Sequence, residues 1–262
     1  MTFFLHDSIQ PNGPLDLIDY GAGETRRRSR CTGEVPLLLE KLEVPRISGL
    51  MERERLRCLL ERSRAQFPCT LVSGRAGTGK TALAASVANE CSNTAWYTVE
   101  TGDIDWRVFS RYFSRCLANA GFGEAETLRS DGKQSSQTVV ARFLLRHFFK
   151  AEQQLMGRAL IVLDDIHHIF DAEWFEEFFK LLLYSLPPDT HLILLCRSKP
   201  PAPLWRLRSK QVLNVIDEEQ LAFTAAEARE LFEKYGRSAS EAETANEECF
   251  GRASKLIEAA RS

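Results

Sequence analysis

Residues 71–85 read LVSGRAGTGKTALAA. Gly74 and Gly79 bracket four residues, and Lys80 and Thr81 follow directly. The apolar run CTLVSG precedes this string and the helix-forming run TALAASVANEC follows it, so strand, turn and helix succeed one another. Glycines let the backbone curl until successive N–H groups face one anion, and the next helix aims its positive N-terminal end at the same point. The stretch is therefore expected to be a phosphate-binding loop.

A nucleoside triphosphate is the ligand such a loop takes. Gly74, Ala76, Gly77, Thr78, Gly79, Lys80, Thr81 and Ala82 form the expected cradle, with Thr78 in an ordinary loop role. Lys80 adds a point charge over the β and γ phosphates, and Thr81 offers its hydroxyl to the Mg2+ that bridges them. Lys80 is expected to stand exposed in the loop, so Lys80→Ala should abolish ATP binding and spare the fold.

Downstream, residues 159–170 read ALIVLDDIHHIF. Five apolar residues suit a strand covered on both faces, with a carboxylate emerging at the ligand edge. Asp164 is assigned to the magnesium, mostly through water, and Asp165 to orienting or activating the attacking water. A cap for the following helix is the alternative for Asp165. Arg197 leaves the apolar strand LILLCRS at the same level and would sense or stabilise γ-phosphate charge, unless it only forms a surface salt bridge. His167 and His168 lack further ligands at metal-binding spacing, and neighbouring side chains are expected to diverge, so no protein-built zinc site is assigned.

Outward from these motifs, strands and helices alternate. A helix in MERERLRCLLERSRAQ leads to the first strand; TAWYTVE, HLILLC and QVLNVI complete five core strands with CTLVSG and 159–164; a proline-punctuated loop follows HLILLC. The pattern predicts an α/β fold, a three-layer αβα P-loop NTPase of the ASCE type with a parallel sheet over residues 44–222. Residues 223–262 turn purely helical, opening on the Thr224 cap with Glu227 three residues later, and form a small, apparently truncated lid. Residues 1–43, with TRRRSR, are expected to be a loosely ordered arm whose basic run is solvated.

The 262 residues, 44% of them hydrophobic, suffice for a full core, and 34 basic against 36 acidic residues argue against a dedicated nucleic-acid surface. No apolar run approaches the roughly 20 residues that span a bilayer, so a cytoplasmic protein without membrane contact is expected. The seven cysteines include no CxxC pair, which favours reduced structural thiols.

The strings PRISGLMERERL, GRAGTGKTAL, AWYTVETGDIDWRVFSRYF, LIVLDDIHHI, LPPDTHLILLCRSKPPAPLWRLRSKQVL and LAFTAAEARELF, in this order, resemble the STAND-class ATPases, specifically the ATPase module of MalT-like (large LuxR-type) transcription activators. The resemblance runs from about residue 44 to the end. It implies a switch that is inactive with ADP and assembles, or docks a protein partner, with ATP. It also implies that Arg53 lies near the adenine pocket, and gives His167 a modest role as a link to the following helix. In that family a winged-helix domain, a repeat-built sensor and a DNA-binding helix-turn-helix follow the lid, and none fits after residue 224, so this chain is not expected to act as a complete activator or to bind DNA itself. Arg252 stands where the family has tryptophan, and no nucleotide contact is assigned to that region.

The leading expectation is thus a slowly hydrolysing ATP switch. The alternatives are a binding-only nucleotide module, an AAA or origin-recognition-type ATPase acting on DNA with Arg229 or Arg252 as a lid sensor, and, more weakly, a small-molecule kinase.

Overall fold

The computed structural model describes residues 37–47, 51–123, 137–149 and 158–262. Its centre is a sheet of five strands, β1 Cys69–Ser73, β2 Asn93–Thr98, β3 Ala159–Asp164, β4 Thr190–Cys196 and β5 Leu213–Ile216. All the pairings are parallel and the order is β2-β3-β4-β1-β5. Every residue of β3 and β4 is buried, as continuous apolar runs require when helices cover both faces. Alternation along the strands divides the core in two. Leu71, Ile161, Leu163, Leu192 and Leu194 point into one half, while Val72, Leu160, Val162, Ile193 and Leu195 point into the other.

Helices α1 Glu54–Gln66 and α2 Lys80–Ala88 close the second half, through Leu56, Leu60, Leu83 and Val87. The first half is closed by α3 Trp106–Asn119, α4 Gln137–Phe148 and α5 Phe175–Ser185. Their contact is aromatic: Phe109 meets Trp174 at 4.6 Å and Phe178 edge-on at 5.1 Å between ring centroids. Every second strand residue therefore finds an apolar partner on its own side.

One expected loop is a helix. After Pro200-Pro201 the chain forms α6 Ala202–Ser209, with Leu204 and Leu207 buried. Prolines are compatible with a first helical turn, where the missing N–H has no acceptor to satisfy, so their presence here starts a helix rather than excluding one. The N-terminal arm also departs from expectation. Residues 1–36 lie outside the described residues, but Leu39–Leu42 form a 3-10 turn whose Lys41 is buried against Asp103 at 2.7 Å. Tyr112 lies 4.4 Å below the same ammonium, so a paired charge and an aromatic face hold this segment against the sheet edge.

Beyond β5 come α7 Glu218–Leu221, α8 Ala225–Lys234, α9 Ala239–Cys249 and α10 Ala253–Arg261. The last three surround a separate small core of Phe223, Leu231, Phe232 and Leu256. Capping boxes start α7, α8 and α9, on Asp217, Thr224 and Ser238. No helix among the described residues is long and apolar enough to cross a membrane.

Candidate nucleotide site

Strand order decides what meets at the carboxyl edge of the sheet. Because β4 lies between β1 and β3, the end of β4 separates the loop after β1 from the acidic end of β3. Arg197 thus comes to stand beside Asp165, with Lys80 and Thr81 across a cleft of about 250 Å³ that Ala76, Gly77, Gly79, Ala82 and Ile47 also line. A larger hollow of about 350 Å³ lies in the lid, between Phe232, Arg237, Glu241 and Glu248, and includes no residue of the glycine-rich loop.

The loop curls because Gly77 and Gly79 take φ of +79° and +93°, a region that side chains disfavour. Gly79 caps α2, so that helix begins with Lys80 and directs its N-terminus at the cleft. Lys80 differs from the expectation of an exposed loop residue: it is the first residue of α2 and only 5% exposed. Its ammonium donates to the Gly74 and Arg75 carbonyls, at 2.5 and 2.9 Å, because the curled loop turns these oxygens inward. Burial lowers its pKa, with the Asp165 charge opposing. Thr78 is also buried and closes the loop by donating to Arg75 O at 2.9 Å.

The hydroxyl of Thr81 donates to Asp164 Oδ2 at 2.9 Å, and the Asp165 amide donates to Asp164 Oδ1 at 2.8 Å. Both carboxylate oxygens of Asp164 are therefore oriented by protein hydrogen bonds. Burial, reinforced by the Asp165 charge, raises the Asp164 pKa. Asp165 itself sits in the left-handed region at φ 53°, and its side chain makes no cap bond to the turn Ile166–Ile169. Its carboxylate instead takes a two-pronged ion pair from Arg197, Nε to Oδ1 at 2.9 Å and Nη2 to Oδ2 at 2.6 Å. Arg197 does form a salt bridge, then, but its partner is the other residue assigned to the chemistry.

The histidines do not diverge as expected. The 3-10 turn brings the His167 and His168 rings to 4.2 Å between centroids, and His167 Nδ1 lies 3.8 Å from Asp165 Oδ1. Burial, with the neighbouring His168, lowers the His167 pKa. Among the described residues no group of three or more His, Cys, Asp or Glu is arranged to hold a metal ion.

Arg53 is elsewhere. Its guanidinium donates to the Leu221 and Ala222 carbonyls and to Glu227, each at 2.8 Å, and stacks on Phe223 at 3.9 Å. It does not line the cleft and fastens the lid to the body of the domain instead. What sequence reasoning missed is the grip of the lid on the phosphate loop. Arg252 donates to Ala76 O at 3.0 and 2.6 Å, and Ser254 N donates to Gly77 O at 2.9 Å. Glu218 accepts from the Arg75 amide and guanidinium at 2.9 and 2.7 Å. A Cβ on Gly77 would overlap the Ser254 side chain. The hints in the sequence were only the lone Arg252 and Ser254 beside a glycine, with no spacing to tie them to residue 76.

Residues 51–195 match the family described as the AAA ATPase domain. The chain belongs to that family. As an AAA ATPase domain it is a nucleotide-binding domain. The chain is also 31% identical to the HTH-type transcriptional regulator MalT of Serratia proteamaculans over 201 residues, covering 75% of this chain and 22% of that protein. Against MalT of Yersinia pestis the identity is 30% over 199 residues, with 75% and 22% covered. The chain thus spans about a fifth of the length of the curated relatives it matches. Among solved structures, the domain aligns with a Walker-type ATPase of Pyrococcus abyssi at 14% identity and TM-score 0.49, over 81% of this chain and 67% of that one. It aligns with the ORC1 protein of Aeropyrum pernix, solved in complex with DNA, at 20% identity and TM-score 0.46, over 82% and 59%.

Proposed function

We propose that this AAA ATPase domain binds Mg-ATP, hydrolyses it slowly, and uses the nucleotide state to set the position of its lid for a protein partner or a second copy of itself. The observation that carries the proposal is the convergence of Lys80, Thr81, Asp165 and Arg197 on one cleft, with Asp164 directly behind Thr81. Two cations for phosphate, a hydroxyl and a carboxylate for a hard metal ion, and a second carboxylate for a water form the set that phosphoryl transfer to water uses.

The oxygen donors fit magnesium. Thr81 Oγ1 and Asp164 Oδ2 are 2.9 Å apart and already oriented, and hard oxygen ligands are what this ion takes. When bound, it supplies charge neutralisation between phosphate oxygens. Lys80 holds the phosphates, Asp165 orients the water and accepts its proton, and Arg197 balances the developing negative charge. A regulatory output is supported by the similarity to transcriptional regulators of the MalT kind. The docked lid supplies a moving part, because Arg252 and Ser254 grip Ala76 and Gly77 of the loop that would hold phosphate. Near balance between basic and acidic residues gives no support to DNA binding by this segment.

A binding-only module is the second reading, favoured by the engagement of Asp165 with Arg197 rather than with a free path to water. Single-turnover hydrolysis with labelled ATP separates the two: tight binding without phosphate release would remove the enzyme. Lys80→Ala should abolish ATP binding measured by calorimetry. Because Lys80 is buried, thermal unfolding must accompany that experiment. Unchanged ATP affinity in a folded variant would remove the site.

A further inference from the structure

The lid holds the glycine-rich loop by two backbone oxygens. Arg252 spends both Nε and Nη2 on one neutral acceptor, Ala76 O, at 3.0 and 2.6 Å, and the Ser254 amide in the first turn of α10 donates to Gly77 O at 2.9 Å. A trans peptide is a rigid plane whose C=O and N–H point in opposite directions. Each oxygen fixed on the lid therefore turns an N–H the other way, that of Gly77 through the Ala76 oxygen and that of Thr78 through the Gly77 oxygen. Bonds within the loop do not make this choice. Lys80 Nζ and Thr78 Oγ1 engage the oxygens of Gly74 and Arg75 and leave the next two peptides to the lid. Gly77 and Gly79, at φ of +79° and +93°, have no side chain to resist rotation of those peptides. Turned over, the Ala76–Gly77 peptide would offer an oxygen where an anion needs an N–H.

Resting on the reading of the cleft as a nucleotide site, we propose that Arg252 is a positioning residue for phosphate binding, which acts through the Ala76 carbonyl to hold the Gly77 N–H toward the anion and touches no nucleotide itself. The lid thereby sets the phosphate affinity of a loop to which it contributes no ligand. Its side chain is available for this because it makes no cap bond to α10. Gly77 is fitted to the same contact, since a Cβ there would overlap the Ser254 side chain. Arg252 stands where the MalT-like pattern has tryptophan, so a guanidinium at this contact is a feature of this chain. By linkage, a bound phosphate group must tighten the docking of the lid by the factor by which docking tightens the phosphate.

Both directions of this coupling are measurable without turnover. Arg252→Met keeps an unbranched side chain and removes the donors. Calorimetry with ADP and magnesium should show the variant binding about tenfold more weakly than the wild type, about 1.4 kcal/mol. The gap should be the same at about 0.1 M and about 0.5 M salt, because the acceptor of Arg252 is a neutral oxygen. Hydrogen exchange reads the reverse direction at the Ser254 amide, the donor to Gly77 O. ADP should slow that exchange about tenfold in the wild type and at most about threefold in Arg252→Met. An affinity within about twofold of wild type in Arg252→Met overturns the positioning role. So does a gap that closes at the higher salt, which would mean direct attraction between guanidinium and phosphate. Absence of slowing in the wild type overturns the coupling whatever the stability of the variant, and equal slowing in both proteins removes Arg252 from it. If the wild type does not bind ADP, the nucleotide site itself fails, which is a separate result.

Discussion

Glu227→Gln tests whether the lid is bolted through its hinge. Glu227 is 12% exposed and Arg53 9%. The carboxylate receives Arg53 Nη2 at 2.8 Å, Arg55 Nη2 at 3.1 Å and the Thr224 amide at 3.0 Å. Burial works to raise the Glu227 pKa, but the hydrogen bonds from Arg53, Arg55 and Thr224 outweigh it and hold the group down to about 2, against an ordinary 4.5. Each pH unit of separation corresponds to about 1.4 kcal/mol, so the anion contributes about 3 kcal/mol at neutral pH. Removing one partner of a buried ion pair costs about 3 to 5 kcal/mol, and partial exposure of Arg55 places the expectation at the low end.

Urea unfolding at pH 7 should therefore show Glu227→Gln destabilised by about 3 kcal/mol. The sign of its pH dependence follows from the depressed pKa. The stabilisation is complete above about pH 4.5 and is lost as pH falls toward 2, so wild type and variant should converge across that window. Amide exchange of Gly77 to Lys80 should also accelerate, by up to about a hundredfold, if opening of the lid releases the loop. A variant within about 0.5 kcal/mol of wild type at pH 7, or a gap that persists on acidification, would refute the bolt.

Two further outcomes test the buried charges and polar groups of the body. His191 lies in β4, its Nε2 2.9 Å from Thr70 Oγ1, and burial together with the Arg64 charge pushes its pKa down to about 3. The unfolded chain takes up this proton near pH 6.5, so stability should fall as pH drops below that value, by about 2 kcal/mol at pH 5, and His191→Gln should lack this loss in paired denaturation series at pH 7 and pH 5. Lys41→Met leaves the buried Asp103 without its cation and should destabilise the domain by about 3 to 5 kcal/mol in thermal or urea unfolding, with partial recovery when Asp103→Asn is added.

Sequence alone determined the local elements and the nucleotide-binding class of the domain. The spacing of Gly74, Gly79, Lys80 and Thr81 is a requirement of backbone curvature around an anion, and the unbroken apolar runs of β3 and β4 are a requirement of burial on two faces, so both were legible without any fold. The carboxyl pair at 164 and 165 and the arginine at 197 were legible as the ends of such runs. Tertiary structure decided which of these groups touch. Only the strand order, with β4 between β1 and β3, sets Arg197 against Asp165. Only the packing of α7 and α10 brings Glu218, Arg252 and Ser254 onto residues 75–77, and only the hinge geometry sets Arg53 against the Leu221 and Ala222 carbonyls. The same limit hid the burial of Lys41, whose partner Asp103 is distant in the chain, while Lys80 is buried by the Gly74 and Arg75 carbonyls of its own loop, which only the curl of that loop turns inward.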